Sequence, residues 1–203
     1  HSRIFCIEER EHFAEALRGV ISDADRLARY GALSAAEIDA ARADYWRRVR
    51  AENALPRDCL LVDKLPLNIV MLPLIKRVFP DAKVIFALRD PRDVILSCYQ
   101  QRFGMNPAMA QFLELGSAAA YYDAVMRLFE TCRQRLALDL HQVRYEGVVA
   151  DLEAEARGLT TFLGLEYEPG MLDFTATALK RDINTPSARQ VIQPLYARSA
   201  GRW

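Results

Sequence analysis

The sequence predicts an α/β fold in which a parallel sheet is covered by helices on both faces. Four short apolar segments, residues 4–7, 59–63, 84–88 and 142–145, have the length and composition of buried strands. Segments with helical periodicity lie between them. Strands that alternate with helices favour a parallel sheet whose two faces are both covered.

The first two predicted helices carry clear local signals. Ser34 followed by Glu37 forms a capping box and predicts a helix that runs to about Glu52. An apolar face over residues 69–79 predicts a second helix, and Pro73 is expected to kink it because proline removes a backbone hydrogen bond.

The second half of the chain adds two further helices and a polar tail. An amphipathic helix is predicted over residues 117–138, with its apolar side formed by Tyr121, Val125, Leu128, Phe129, Cys132 and Leu136. Another is predicted over residues 151–163, followed by Gly164 as a typical C′ residue. The tail after Phe174 is expected to be a surface loop laid across a single domain of residues 1–203.

Composition argues against several classes of function. The chain has 27 basic and 27 acidic residues, so no net field would draw it onto nucleic acid or anionic lipid. No apolar run approaches the roughly 20 residues that a membrane span needs. The four cysteines stand singly, without metal-ligand spacing, which is typical of reduced thiols in a cytoplasmic protein.

The most informative stretch joins the predicted strand 84–88 to a helix. Arg89 follows the strand directly, and the helix then begins with Asp90 as N-cap, Pro91 at its first position and Asp93 in its first turn. Ligands of open parallel sheets bind beyond the carboxyl ends of the strands. Arg89 is therefore expected at a ligand-binding edge.

A phosphate could be held between Arg89 and Ser97. Helical side chains lean toward the N-terminus, so the Ser97 hydroxyl is expected to point back toward the guanidinium. The alternative is that Arg89 only pairs with Asp90 or Asp93. Capping explains both carboxylates, so we expect no metal site here.

Several segments, in this order, resemble the sulfotransferase superfamily, and most closely the tyrosylprotein sulfotransferases and the bacterial sulfotransferases that carry tetratricopeptide repeats. They are Lys64-Leu-Pro-Leu-Asn68, the segment of residues 74–85 with Phe-Pro-Asp-Ala-Lys-Val-Ile, and Arg89-Asp-Pro-Arg-Asp-Val-x-x-Ser97. Further stretches that agree are His1 to Glu9, Val143 to Val149, Phe162 to Leu165, Thr185 to Pro194 and Ser199 to Trp203.

The resemblance implies a P-loop-like parallel sheet of about four to five strands and a donor, 3′-phosphoadenosine 5′-phosphosulfate. Arg89 and Ser97 would bind the 3′-phosphate of this nucleotide. Tyr145 would help to bind the nucleotide, unless it is a core tyrosine at a strand end. Ser187 and Arg202 would close over it from the C-terminal loop, with Ser187 counted among the catalytic residues as well.

The resemblance also implies two residues that act on the sulfuryl group. Lys64 would reach the bridging oxygen between phosphate and sulfate, unless it merely pairs with Asp63. Glu9 would be the general base that takes the proton of the acceptor hydroxyl, with Glu8 as its competitor. Both acids could instead be first-turn carboxylates of the helix that follows.

The expected activity is sulfuryl transfer to an acceptor hydroxyl of a protein tyrosine, a carbohydrate or a small molecule. The family's 5′-phosphosulfate loop and its strand are expected before His1, and a tetratricopeptide-repeat region is a possible upstream partner. Two other functions stay open: an inactive nucleotide-binding interaction module and a nucleotide kinase of related fold.

Overall fold

The computed structural model describes residues 1–19, 26–175 and Gly201. Strands and helices alternate along these ranges. In chain order the elements are β1 Ile4–Glu8, α1 His12–Arg18, α2 Arg26–Gly31, α3 Ala35–Glu52, β2 Leu60–Lys64, α4 Leu72–Val78, β3 Lys83–Leu88, α5 Pro91–Gln100, α6 Leu115–Arg135, β4 Asp139–Arg144, α7 Tyr145–Ala150 and α8 Leu152–Leu163. Short 3-10 turns lie at Pro66–Met71, Met109–Leu113 and Pro169–Leu172.

The described strands pair two and two, in two compact units of the chain. One unit is Ser2–Ala82, and the other combines His1 with the described residues of Lys83–Trp203. In the first unit β1 and β2 are parallel, and in the second unit β3 and β4 are parallel. The predicted α/β class with parallel strands is confirmed.

The first unit packs its strand pair against α1, α3 and α4 through an apolar core. Its buried members are Ile7, Phe13, Ala16, Leu17, Leu33, Ala41, Tyr45, Val49, Leu74 and Val78. The predicted capping box begins α3: Ser34 Oγ accepts from Glu37 N, and the Glu37 carboxylate accepts from Ser34 N at 2.8 Å. These reciprocal bonds satisfy backbone donors that a helix start leaves open.

The kink predicted at Pro73 is wrong. Residues Pro66–Met71 form a 3-10 turn, and α4 begins only at Leu72. Pro73 therefore lies in the first turn of a helix, where its missing N–H would have had no partner and its fixed φ suits the start.

In the second unit, α8 ends just before Gly164 as predicted and begins one residue later than predicted, with Asp151 as its N-cap. The Asp151 side chain accepts from Ala154 N at 2.9 Å, and Gly164 has a φ of 72° in the left-handed region. On α6, Phe129 and Cys132 are buried as predicted, whereas Leu128 is exposed and was wrongly placed on the apolar side.

No helix within the described ranges has both the length and the apolar character that crossing a bilayer requires.

Candidate active site

Glu9 and Lys64 meet at the carboxyl ends of β1 and β2. The parallel register places Glu8 opposite Lys64, the last residue of each strand. The backbone N–H of Glu9 then donates to the carbonyl oxygen of Lys64 at 2.8 Å. This bond continues the strand pairing by one residue and fixes Glu9 beside the lysine.

The side chains of this pair form an ion pair. Lys64 Nζ lies 3.0 Å from Glu9 Oε1, at hydrogen-bond distance, and 3.6 Å from Glu8 Oε2. The side chains of Lys64 and Glu9 are 41% and 29% exposed, so solvent and a ligand can reach both of them.

Glu9 has an unusual backbone. Its φ of 54° is the one positive φ of a non-glycine residue in the described ranges. For a residue with a Cβ, this left-handed conformation costs on the order of 1–3 kcal/mol. Backbone strain of this kind clusters at functional sites. Here it re-aims the chain between β1 and α1 and leaves the Glu9 carboxylate next to Lys64.

The alternative roles considered for Lys64, as a partner of Asp63, and for Glu8 and Glu9, as first-turn carboxylates of a helix, are wrong. Lys64 pairs with Glu9 and Glu8, whereas the Asp63 carboxylate accepts from the Tyr45 hydroxyl at 3.0 Å. Neither acid belongs to the first turn of α1, which begins at His12 and has Glu15 as its acidic first-turn residue.

The polar cluster behind β2 was missed by the sequence reasoning. Asp63 receives hydrogen bonds from Tyr45 and, at 3.5 Å, from Asn68 Nδ2. Burial raises the pKa of Asp63, and these two donors and His12 offset part of that shift. Burial and the nearby Asp63 carboxylate also raise the pKa of Tyr45. In the sequence, Asp63 ends an apolar strand and gave no sign that it faces a buried hydroxyl.

Arg89 and Tyr145 meet at the carboxyl ends of the other strand pair. Leu88 lies opposite Arg144 in the register, so the next residue of each chain segment stands at the same edge. The Arg89 guanidinium carbon lies 4.8 Å from the centroid of the Tyr145 ring. At this distance the guanidinium and the ring are in cation–π contact, which is favourable.

Tyr145 is the first residue of α7, and the strand predicted to include it ends one residue earlier. The side chain is only partly buried, so its alternative role as a core tyrosine at a strand end is not what the structure shows.

The start of α5 follows the predicted capping pattern. The Asp90 side chain accepts from Arg92 N at 2.9 Å, and Pro91 is the first helical residue. Hydrogen bonds from the Arg92 side chain lower the pKa of Asp90 to about 2. Asp90 N in turn donates to Glu146 Oε1 at 2.9 Å, a contact that no sequence signal indicated.

Asp93 connects Arg89 with the C-terminal segment. Its side chain is buried, its Oδ2 lies 4.0 Å from Arg89 Nη2, and it accepts from Gly201 N at 2.7 Å. Arg89 thus approaches Asp93, one of its two predicted alternative partners, while Asp90 pairs with Arg92. Gly201 has a φ of 70°, a conformation that favours glycine.

Ser97 lies four residues after Asp93 on α5 and therefore shares its helix face. It is partly buried, and its hydroxyl has no hydrogen-bond partner among residues 1–19, 26–175 and Gly201. A donor on this face is available to a ligand. Ser187 and Arg202, the other two predicted site residues, lie outside the described residues, although Arg202 follows Gly201 directly in the chain.

Comparison with known proteins supports the resemblance seen in the sequence. The model of a family described as "Sulfotransferase family" matches residues 6–169. An "Uncharacterized protein" of Aquifex aeolicus (strain VF5) is 30% identical over 144 residues, which cover 70% of this chain and 19% of that protein. A "Putative protein-tyrosine sulfotransferase" of Caenorhabditis briggsae is 27% identical over 148 residues, which cover 64% of this chain and 50% of that protein.

The chain therefore spans half or less of the length of these two relatives. Among solved structures, the "Sulfotransferase Domain from the Curacin Biosynthetic Pathway" matches with a TM-score of 0.52 and 21% identity, over 98% of this chain and 87% of that one. At this identity the likeness shows the shared fold.

Proposed function

Because this chain belongs to the sulfotransferase family, we propose that it moves a sulfuryl group from 3′-phosphoadenosine 5′-phosphosulfate to an acceptor hydroxyl. The observation that carries the proposal is the ion pair of Glu9 and Lys64 at 3.0 Å, formed where β1 and β2 end. It brings a possible proton acceptor and a compact cation to one sheet edge. Sulfuryl transfer needs both groups.

The reaction proceeds by in-line displacement. The acceptor oxygen forms a bond to sulfur while the bond from sulfur to the bridging oxygen breaks, and its electron pair goes to the leaving phosphate. Negative charge therefore grows on that phosphate in the transition state. A cation aimed there stabilises the transition state more than the ground state, and we assign this role to Lys64.

Glu9 is proposed to take the proton of the acceptor hydroxyl. An alcohol or phenol with a pKa near 10 or above is a weak nucleophile at neutral pH, so a positioned base accelerates the reaction. The strained backbone of Glu9 supports this assignment, because it holds the carboxylate at the sheet edge at a cost in folding free energy. Glu8, the last residue of β1, lies farther from Lys64 Nζ.

Arg89, Ser97 and Tyr145 are proposed to bind the nucleotide. The guanidinium lies over the tyrosine ring, 4.8 Å from its centroid, and can offer a fork of donors to the 3′-phosphate. The Ser97 hydroxyl adds a further donor from the helix face of Asp93. Ser187 and Arg202 are proposed to complete this binding from the C-terminal segment, and Ser187 to act in catalysis as well.

The acceptor class and setting are also proposals. The Caenorhabditis briggsae relative is named for protein tyrosine, which supports a phenolic acceptor, and carbohydrates and small alcohols stay candidates. We propose a cytoplasmic enzyme, with a tetratricopeptide-repeat region as a possible upstream partner in the full-length protein.

The test is a transfer assay on the full-length natural protein with radiolabelled donor sulfate. Tyrosine peptides, simple phenols and carbohydrates serve as acceptors, without and with magnesium. Label transferred to a hydroxyl, with 3′-phosphoadenosine 5′-phosphate released in equal amount, supports the proposal. Binding of the nucleotide without turnover on any acceptor would show an interaction module instead. Phosphate transfer from ATP that requires magnesium would show a nucleotide kinase.

A further inference from the structure

Asp63 precedes Lys64 in β2 and lies on the opposite side of the strand, where its contacts can fix the position of the lysine. Successive side chains of a strand point to opposite sides, so Asp63 and Lys64 face away from each other. Lys64 extends toward Glu9, whereas Asp63 extends toward α3 and the 3-10 turn that follows β2.

The contacts of Asp63 join the two segments that flank the lysine. Its Oδ2 accepts from the buried hydroxyl of Tyr45 on α3, and its Oδ1 accepts from Asn68 in the 3-10 turn. One contact fixes the end of β2 to a long helix, and the other fixes the chain four residues beyond Lys64. The residue next to Lys64 in β2 thus has a contact at 3.0 Å to the helix and a longer one at 3.5 Å to the following turn.

The apolar surroundings of Asp63 make its negative charge unfavourable for the stability of the fold. Tyr45 packs edge-on against Trp46 and Phe79, with ring centroids 5.4 and 5.1 Å apart. His12, which is buried and 3.6 Å from Glu52 Oε2, is close enough to lower the pKa of the Asp63 carboxyl. A charge in such a place lowers stability unless it is compensated.

A carboxylate nevertheless has one property that an amide lacks. It accepts from both Tyr45 and Asn68 and donates to neither, so it allows a single arrangement of the three side chains. An asparagine in its place would accept from one partner and donate to the other. Since the tyrosine hydroxyl can rotate and the Asn68 amide can flip, two arrangements would then be available.

We propose that Asp63 is a positioning residue, which fixes the end of β2 through Tyr45 and Asn68 and so directs the Lys64 ammonium at the reacting group. This inference rests on the proposed function, since it assumes that Lys64 acts on the leaving phosphate. Asp63 itself touches neither donor nor acceptor in this role. It acts on turnover through the lysine alone.

The kinetic test is a double-mutant cycle in the full-length protein. Asp63→Asn should lower kcat roughly tenfold, because small displacements of a reacting group are costly, while affinity for 3′-phosphoadenosine 5′-phosphate stays within about twofold. In the Lys64→Ala background the same substitution should change kcat by less than about twofold. Equal losses in both backgrounds would overturn the proposal. The matched control is Asp39→Asn, an exposed acid on α3 that pairs with Arg42.

A second measurement is independent of activity. Lysine-selective isotope labelling gives one side-chain signal for each lysine, and Lys64→Ala identifies the signal of Lys64 by its loss. Asp63→Asn should shift or broaden the Lys64 signal and leave those of Lys76 and Lys83 in place. An unchanged Lys64 signal would overturn the positioning role, even if Lys64→Ala proves inactive. If the signal moves but Lys64→Ala keeps full activity, the positioning stands and the proposed role of Lys64 fails.

Thermal unfolding completes the test. Because both partners can reverse their hydrogen bonds, Asp63→Asn should leave Tm unchanged or raise it by removing a poorly solvated charge. A large fall in Tm together with a fall in kcat would indicate a residue that only supports the fold, and it would contradict the proposal.

Discussion

The ends of the two strand pairs present cations in different ways. At the end of β1 and β2, Lys64 forms an ion pair with Glu9, and both side chains are partly exposed. At the end of β3 and β4, Arg89 lies over the Tyr145 ring and near the buried Asp93. The first cation can change partners by rotating its side chain, whereas the second lies close to both an aromatic ring and a buried carboxylate.

This difference fits the roles proposed for the two ends, the chemical step for Lys64 and nucleotide binding for Arg89. A group that stabilises growing charge acts best when its interaction strengthens in the transition state. In the proposed reaction, Lys64 would exchange Glu9 for the leaving phosphate, and that exchange would release the carboxylate for a proton. A group that selects a phosphate gains from a planar fork of donors with restraining neighbours, and Arg89 has such neighbours in Tyr145 and Asp93.

The largest effect on turnover is expected from replacing Glu9, the carboxylate at the end of β1 and β2. Glu9→Gln should lower kcat roughly 10²–10⁴-fold, the usual value of a positioned general base, with little change in nucleotide affinity. Glu8→Gln is the matched control, since it removes the neighbouring acid, and it should cost much less. Steady-state kinetics with an acceptor of ordinary pKa measures both variants.

A more acidic phenol sharpens this test. Such an acceptor is already ionised in part, so it should partly rescue Glu9→Gln if the lost group is a base. If Glu8→Gln is the inactive variant, the assignment is off by one residue. If neither substitution matters, neither carboxylate is the base.

The next largest effect on turnover is expected from replacing Lys64, the cation that pairs with Glu9. Lys64→Ala should lower kcat roughly 10²–10³-fold, as expected when a donor to the developing charge is lost, and leave nucleotide affinity nearly intact. Lys76→Ala is the control, because Lys76 lies on α4 and donates to the Pro80 carbonyl. Loss of nucleotide binding with normal turnover at saturation would make Lys64 a binding residue.

At the end of β3 and β4, substitutions are expected to weaken the binding of the nucleotide. Arg89→Ala and Ser97→Ala should each weaken 3′-phosphoadenosine 5′-phosphate by about 1.5–3 kcal/mol, which is roughly 10- to 100-fold. The analogue without the 3′-phosphate should be affected far less. Arg92→Ala is the control, since Arg92 pairs with Asp90 at the surface. Equal losses for both nucleotides in calorimetry would contradict the assignment.

Local patterns predicted the parts of the molecule that local interactions determine. The capping box at Ser34, the N-cap at Asp90 and the glycine at Gly164 are short-range features, and all three are confirmed. The edge positions of Glu9 and Lys64 also follow from strand ends alone.

Features that depend on partners distant in sequence could not be predicted in this way. Tyr45 is 18 residues from Asp63, and Gly201 is 108 residues from Asp93, so no periodicity connects them. The positive φ of Glu9 was equally hidden, because nothing in the residue type favours it. The expected kink at Pro73 failed for a different, local reason, because the helix begins at Leu72 and leaves Pro73 in its first turn.

The smallest expected effect concerns Asp90, the acid that caps α5 next to Arg89. Its pKa is lowered from 3.8 to about 2, so its ionised form contributes stability that is fully present above about pH 4 and is lost as the pH falls toward 2. Asparagine also caps helices but carries no charge, so Asp90→Asn should lower Tm slightly at neutral pH. This difference should shrink as the pH falls from about 4 to about 2. Asp81→Asn, at an exposed turn, is the control, and a difference in Tm that stays constant over this range would show that the charge of Asp90 does not stabilise this helix start.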